Sequence, residues 1–249
     1  MSSVIRPRHV LCVLGRDLDL DLVAKVCGEV GGPGFTLDRE YSQQEPDPRM
    51  VNAFRACLTN LTFTDADWEA VRTHDRVAYV MSPPMPPGTG LAVSRRMLAV
   101  VAALLNAGAT AAKSESSGIA HGRDRWLELA EFAADSLVPT VALYHAWVKR
   151  PISDDNLLYS CGMHLLDAPD VELQLDPDSP ASVDDRCELI DGLATYRLTE
   201  ERGRAMRDGE RFRLAADAPP WLLRHRGCDR YDDDDLFFNP YGYWRLTPA

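Results

Sequence analysis

RVAYVMSPPMPPGTGLAVSRRMLAVVAALLNAGATAAKSESSGIAHGRDRW, residues 76–126, is the stretch whose reading decides the fold. Its first six residues, Arg76–Met81, are rich in β-branched and aromatic side chains, as strands prefer. Residues 82–88 carry four prolines, which remove amide donors and fix φ, so a stiff loop of polyproline character follows. Over 94–106, Met97, Val101, Leu104 and Leu105 recur at helical spacing. Ser94 offers a cap at the start, and Gly108 stands where a left-handed stop belongs. Residues 109–113 read as a strand of small side chains. Strand, helix and strand in this order predict two parallel strands joined by a right-handed crossover. Ligands of such units sit beyond the carboxyl ends of the strands. On that argument the polar loop 113–121 is the best-placed candidate site.

A second strand–helix–strand pattern precedes this one. Residues 9–14 read as a strand, 18–30 as a helix with Leu18, Leu22, Val26 and Val30 on one face, and 35–41 as a strand. Two such patterns suggest paired ferredoxin-like halves. Residues 50–61 read as a helix. Thr64 caps a short helix that turns Trp68 and Val71 inward. Residues 123–134 are amphipathic, whereas 138–148 are apolar on both alternations and are predicted as a central strand. Strands are expected over 157–160, 171–175 and 211–215. A helix is expected over 182–198, with Ser182 and Asp185 as its capping box. The fold class is therefore α+β, or α/β, with helices packed on a mixed sheet. The chain reads as one compact unit, 1–249, with two lobes dividing at 136/137.

The chain has 249 residues and a formal net charge of -11, which argues against non-specific nucleic-acid binding and suits a basic partner. No apolar run reaches the length of a membrane span. The first apolar run ends in Arg16-Asp17 without a small-residue cleavage pattern, so it reads as a strand and not a signal peptide. Cys12, Cys27, Cys57, Cys161, Cys187 and Cys228 are scattered and form no CxxC pair. Reduced thiols in a cytoplasmic protein are the expectation.

Three stretches together resemble a known group. They are Ala107-Gly108-Ala109 leading to 113–118, Tyr159-Ser160-Cys161-Gly162-Met163 with Ala168-Pro169-Asp170-Val171-Glu172, and the helix that follows. The arrangement, over roughly 77–198, is similar to a bacterial family classed only as a domain of unknown function, some of whose members lie near toxin and secretion loci. The resemblance implies an α+β fold, a bacterial cytosolic setting and an immunity or interaction role. That family has no established catalytic residues to carry over.

The candidate chemistry falls in four places. In the 113–121 loop, Glu115 and His121 could serve as acid and base, with Ser114 as nucleophile and Lys113 beside it. The bland alternative is a connection whose polar side chains satisfy loop backbone. No GxSxG, Walker or GxGxxG motif occurs there, and no cofactor is expected. His121, His145 and His164 lack the spacing of a zinc site, so no metal site is assigned. Asp167, Asp170 and Glu172 form a carboxylate group that reads equally as acid–base chemistry or as an edge-strand charge pattern. Asp232, Asp233, Asp234 and Asp235 lack the alternation of a calcium loop and read as a solvated acidic turn that could meet a basic protein. Tyr241 and Trp244 in the aromatic tail are candidate anchors for the same contact. The sequence thus favours a protein-binding role, an immunity protein that inhibits a secreted toxin. The alternative is a small-molecule hydrolase or transferase acting through the 113–121 loop. A homodimer is compatible with either.

Overall fold

Five short strands build the first sheet. The computed structural model describes residues 6–58, 63–135, 139–154, 156–175 and 182–249. In chain order its elements begin with β1 (Val10–Gly15), α1 (Leu20–Val26, continued by a π turn over Cys27–Gly31), β2 (Thr36–Gln43), α2 (Met50–Cys57) and α3 (Asp65–Arg72). Then come β3 (Arg76–Met81), α4 (Gly90–Asn106), β4 (Ala109–Ser114), β5 (Ile119–His121), α5 (Arg123–Asp135) and α6 (Pro139–Trp147). The second half holds β6 (Lys149–Asp154), β7 (Leu157–Cys161), β8 (Asp170–Gln174), α7 (Val183–Thr199), α8 (Glu201–Arg204), β9 (Arg211–Phe212), β10 (Trp221–Arg226) and β11 (Tyr243–Pro248).

The first sheet has the order β2-β3-β1-β4-β5, and every neighbouring pair is antiparallel. β3 and β4 do run parallel, but β1 lies between them. The unit is a split βαβ, and with β1-α1-β2 it makes one ferredoxin-like half. The predicted parallel relation of the two strands holds, but they are not neighbours, so the inference that a ligand crevice opens at their ends is corrected. The 113–121 segment is not a strand-to-helix loop. It is a tight hairpin, with Lys113 opposite Ala120 and Ala112 opposite His121.

The faces of this sheet follow the period of two. Leu11, Val13, Ala78, Val80 and Ala112 join the main core with α1 and α4. Cys12, Leu14, Val77, Ala111 and Ala120 join a smaller core with Met50, Phe54 and Cys57 of α2 and Val71 of α3. Cys12, Cys27, Cys57 and Cys161 are buried as free thiols.

The second sheet has the order β6-β7-β8-β11-β10-β9, with β8 and β11 parallel and the other pairs antiparallel. That order is not ferredoxin-like, so the expected pair of similar halves is realised once. Val171, Leu173, Leu223 and Leu246 of this sheet belong to the same main core as α4 and the first sheet.

Three further expectations are corrected. The segment predicted as a central strand over 138–148 is the helix α6 from Pro139 onward, and Val138 lies outside the described residues. Ala142, Leu143, Tyr144, Ala146 and Trp147 are all buried. A helix buried around most of its circumference loses the period that identifies it. The expected strand over 211–215 is reduced to Arg211–Phe212. The helix expected over 50–61 ends at Cys57, and its last expected residues lie outside the described ones.

Thr64 caps α3 and Ser182/Asp185 form a capping box, as read from sequence, and the structure adds Asp67 as the second member of a box with Thr64. Asp67 does more than cap α3: its other carboxylate oxygen accepts the Arg123 amide at 2.9 Å, fixing the start of α5. Thr64→Ala is expected to cost about 1 kcal/mol, and Asp67→Ala more, because two helix starts lose their acceptor. Urea denaturation of both variants checks the ranking.

Candidate functional site

The β4–β5 hairpin separates the side chains proposed as a catalytic group. Lys113 and Ala120 face α2 and α3, and Lys113 pairs with Glu115 on that side. His121 faces the opposite way, its ring edge-on to Trp126 at 4.6 Å and its Nε2 3.3 Å from the Ala146 carbonyl. Glu115 and His121 therefore lie on opposite faces of the sheet and form no acid–base pair. The serines serve the backbone and each other. Ser116 Oγ donates to the Arg8 carbonyl at 2.7 Å and accepts the Val10 amide at 2.9 Å, and Ser117 Oγ donates to Ser114 Oγ at 3.0 Å. Burial works against the Lys113 ammonium, but the adjacent Glu115 carboxylate more than restores it, and its pKa lies above the ordinary lysine value.

The histidines have separate environments. His145 lies on α6, where its Nδ1 is 2.9 Å from the Arg150 guanidinium. His9, which sequence reasoning did not single out, is buried with its ring 4.5 Å from that of Trp147. Ser94 Oγ donates to the Leu165 carbonyl and lies 2.7 Å from His9 Nε2. The Ser94 proton being committed, His9 Nε2 must donate, which leaves Nδ1 without a partner. His164 is also buried. Neither of its ring nitrogens makes a hydrogen bond of good geometry, although the backbones of Ser116 and Leu236 approach the ring. Among the described residues no three His, Cys, Asp or Glu side chains converge in a metal-holding arrangement.

His164 thus stands where two sequence-distant candidates meet, the β4–β5 turn and the acidic turn. Gly118 packs towards Phe237, since a Cβ there would lie 3.3 Å from the Phe237 ring. Asp232, Asp233, Asp234 and Asp235 are all exposed, and Leu236 beside them is 41% exposed. The turn itself is closed by Asp235 N→Asp232 O at 3.0 Å and Phe238 N→Asp235 O at 3.1 Å, and Asp235 Oδ1 accepts the Phe237 amide at 2.8 Å.

Two buried polar nodes on β8 hold this segment from below. Asp170 accepts Ser160 Oγ at 2.9 Å, the Met163 amide at 3.2 Å and Asn239 Nδ2 at 2.6 Å. Glu172 accepts from Arg230 at 3.1 Å and from Arg245. The Arg230 guanidinium in turn lies over the rings of Tyr159 at 3.8 Å and Tyr243 at 4.9 Å. β8 is a central strand, so Asp170 and Glu172 are interior anchors and not an edge-strand charge pattern. Gly162 has φ +125°, and a Cβ there would lie 2.2 Å from the Trp147 carbonyl, so that position requires glycine. Trp244, expected as a docking anchor, is only 6% exposed and belongs to the main core. Tyr241 is half-buried, its hydroxyl donating to Asp167 at 2.7 Å.

Comparison of the chain with family models, with curated proteins and with solved structures finds no match. No helix among the described residues is long and apolar enough to cross a membrane.

The buried histidines set an acid limit on stability. Burial lowers the pKa of His9 to about 3, with the neighbouring His164 adding to it, and lowers His121 and His164 to about 4. Below their ordinary value of 6.5 the unfolded chain takes up protons that the native state refuses, so stability falls as pH drops from 6.5 towards 4. Burial raises Asp170 to about 6 against its hydrogen bonds, and its contribution has the opposite sign: it is largest below pH 3.8 and is lost as pH rises through about 6. Three histidines outweigh one aspartate, so the urea midpoint is expected to fall between pH 7 and pH 4.5. His164→Leu should make that fall shallower, because it removes a proton site without breaking a hydrogen bond. An unchanged pH dependence in this variant would show that His164 is not one of the responsible groups.

Proposed function

We propose that this chain acts by binding a basic protein through the acidic turn at Asp232–Asp235, as a cytoplasmic bacterial immunity protein that inhibits a toxin. The observation that carries the proposal is the support of that turn. Four exposed carboxylates sit on an irregular segment whose base is tied to buried Asp170 through Asn239 and to buried Glu172 through Arg230. Charges held in one arrangement lose little conformational entropy on docking, and their summed field speeds encounter with a basic surface. Leu236 adds apolar area at the edge of the turn. The chain's net charge of -11 acts in the same direction. The inhibitory role and the bacterial setting rest on the resemblance read in the sequence over 77–198, which no family model matches.

The test has two stages. The tagged chain is used to isolate a stoichiometric basic partner from its host, and binding of the purified pair is then followed by stopped flow. The wild-type association rate should fall steeply with added salt. The quadruple change of Asp232, Asp233, Asp234 and Asp235 to Asn should lower it about tenfold or more at low salt, with a smaller effect on dissociation. A partner bound equally fast by the quadruple variant would remove the turn from the interface. The absence of any stoichiometric basic partner would remove the function.

A further inference from the structure

Among the described residues Arg197 has no counter-ion. It lies on α7, half-buried, and among the described residues it makes neither an ion pair nor a hydrogen bond. The charge that acts on it is that of another cation, Arg204 on α8. One Arg204 amino group donates to the Leu198 carbonyl at 2.9 Å, and this holds its side chain beside the C-terminal end of α7. Burial, and then the Arg204 charge, disfavour the Arg197 cation. Two like charges at the wall of one cavity are a cost that a protein with this excess of carboxylates could readily have offset.

Both arginines line a cavity of about 420 Å³ between the start of α4 and the end of α7. Its other walls are apolar or already satisfied. Leu91, Leu166 and Leu198 supply apolar surface, and Tyr241 closes one side. Asp167 also lines it, but both its oxygens are engaged: one accepts the Gly90 amide at 2.6 Å and the other the Tyr241 hydroxyl. Asp167 therefore occupies the N-terminus of α4, and the anion-seeking groups left in the cavity are the two guanidinium groups. A guanidinium fork matches the oxygens of a carboxylate or a phosphate, and the volume exceeds that of a bare ion.

We propose that this cavity binds a small organic oxyanion, with its carboxylate or phosphate between Arg197 and Arg204 and a short apolar body against Leu91 and Leu166. The site is separate from the acidic turn and does not depend on the protein-binding role. The two guanidinium groups set the class of ligand, and the leucines set the preference for an alkyl body over an inorganic ion.

Isothermal titration of the full chain with butyl phosphate and with hexanoate, at fixed ionic strength, tests this. One of the two should bind saturably at one site per chain, and which of them does so identifies the head group. Arg197→Gln should weaken that binding about tenfold or more, the loss of a charge-assisted contact, with the circular dichroism spectrum unchanged. Leu91→Trp, which fills the cavity from the opposite wall and leaves both arginines in place, should also abolish binding. Arg204→Gln should likewise lose binding with the circular dichroism spectrum of the ligand-free protein unchanged. Failure of both ligands to bind, or binding as tight as wild type in either the Arg197 or the Leu91 variant, overturns the proposal.

Discussion

β1 must be dry on both faces. Leu11, Cys12, Val13 and Leu14 are each 0% exposed, and they stand at the centre of a sheet whose strands are short. A strand with apolar side chains on both alternations needs a helical layer on each side. α1 and α4 supply one layer. α2 and α3, inserted between β2 and β3, supply the other. The insertion is thus what lets a ferredoxin-like sheet bury its second face. α4 then carries its own outer surface into contact with α5 and α6, and the same core continues into the second sheet.

Burial of this extent leaves few polar groups inside, and those present do positional work. Asp170 and Glu172 project from a central strand into surroundings that only hydrogen bonds and arginine pairing make tolerable. Their partners lie far along the chain, at Ser160, Asn239, Arg230 and Arg245. The effect is to tie the irregular 227–242 segment to the second sheet at Arg230 and Asn239. A buried carboxylate at the base and a run of exposed carboxylates at the tip divide the labour of one loop: the first fixes geometry and the second presents charge.

The same logic separates the hairpin at 113–121 from a catalytic role. Every polar side chain in it except Glu115 is buried, and most are spent on backbone or on one another. The residues of 159–172 have a structural role of their own. Gly162 permits close approach to the Trp147 carbonyl, the Met163 amide donates to Asp170, and Glu172 anchors two arginines. These residues set the architecture of the second sheet.

Much of this was legible in the residues themselves. Local signals travel a few positions along the chain, so the caps at Thr64 and Ser182, the periodic face of α4 and the short apolar runs of β1 and β3 identified their elements. The acidic turn was legible for the same reason. α6 was not, because a helix buried nearly all round has no polar face to mark its period. Nor was the sheet order, because hydrogen bonding between strands depends on which distant segments meet. The pairing of β1 between β3 and β4 made parallel strands into an antiparallel sheet and removed the expected crevice. Strand alternation alone would have placed Glu115 and His121 on opposite faces, had the hairpin been recognised. The convergence of Arg197, Arg204 and Tyr241 on one cavity depends wholly on tertiary packing, since it joins side chains of α7, α8 and the tail against the start of α4.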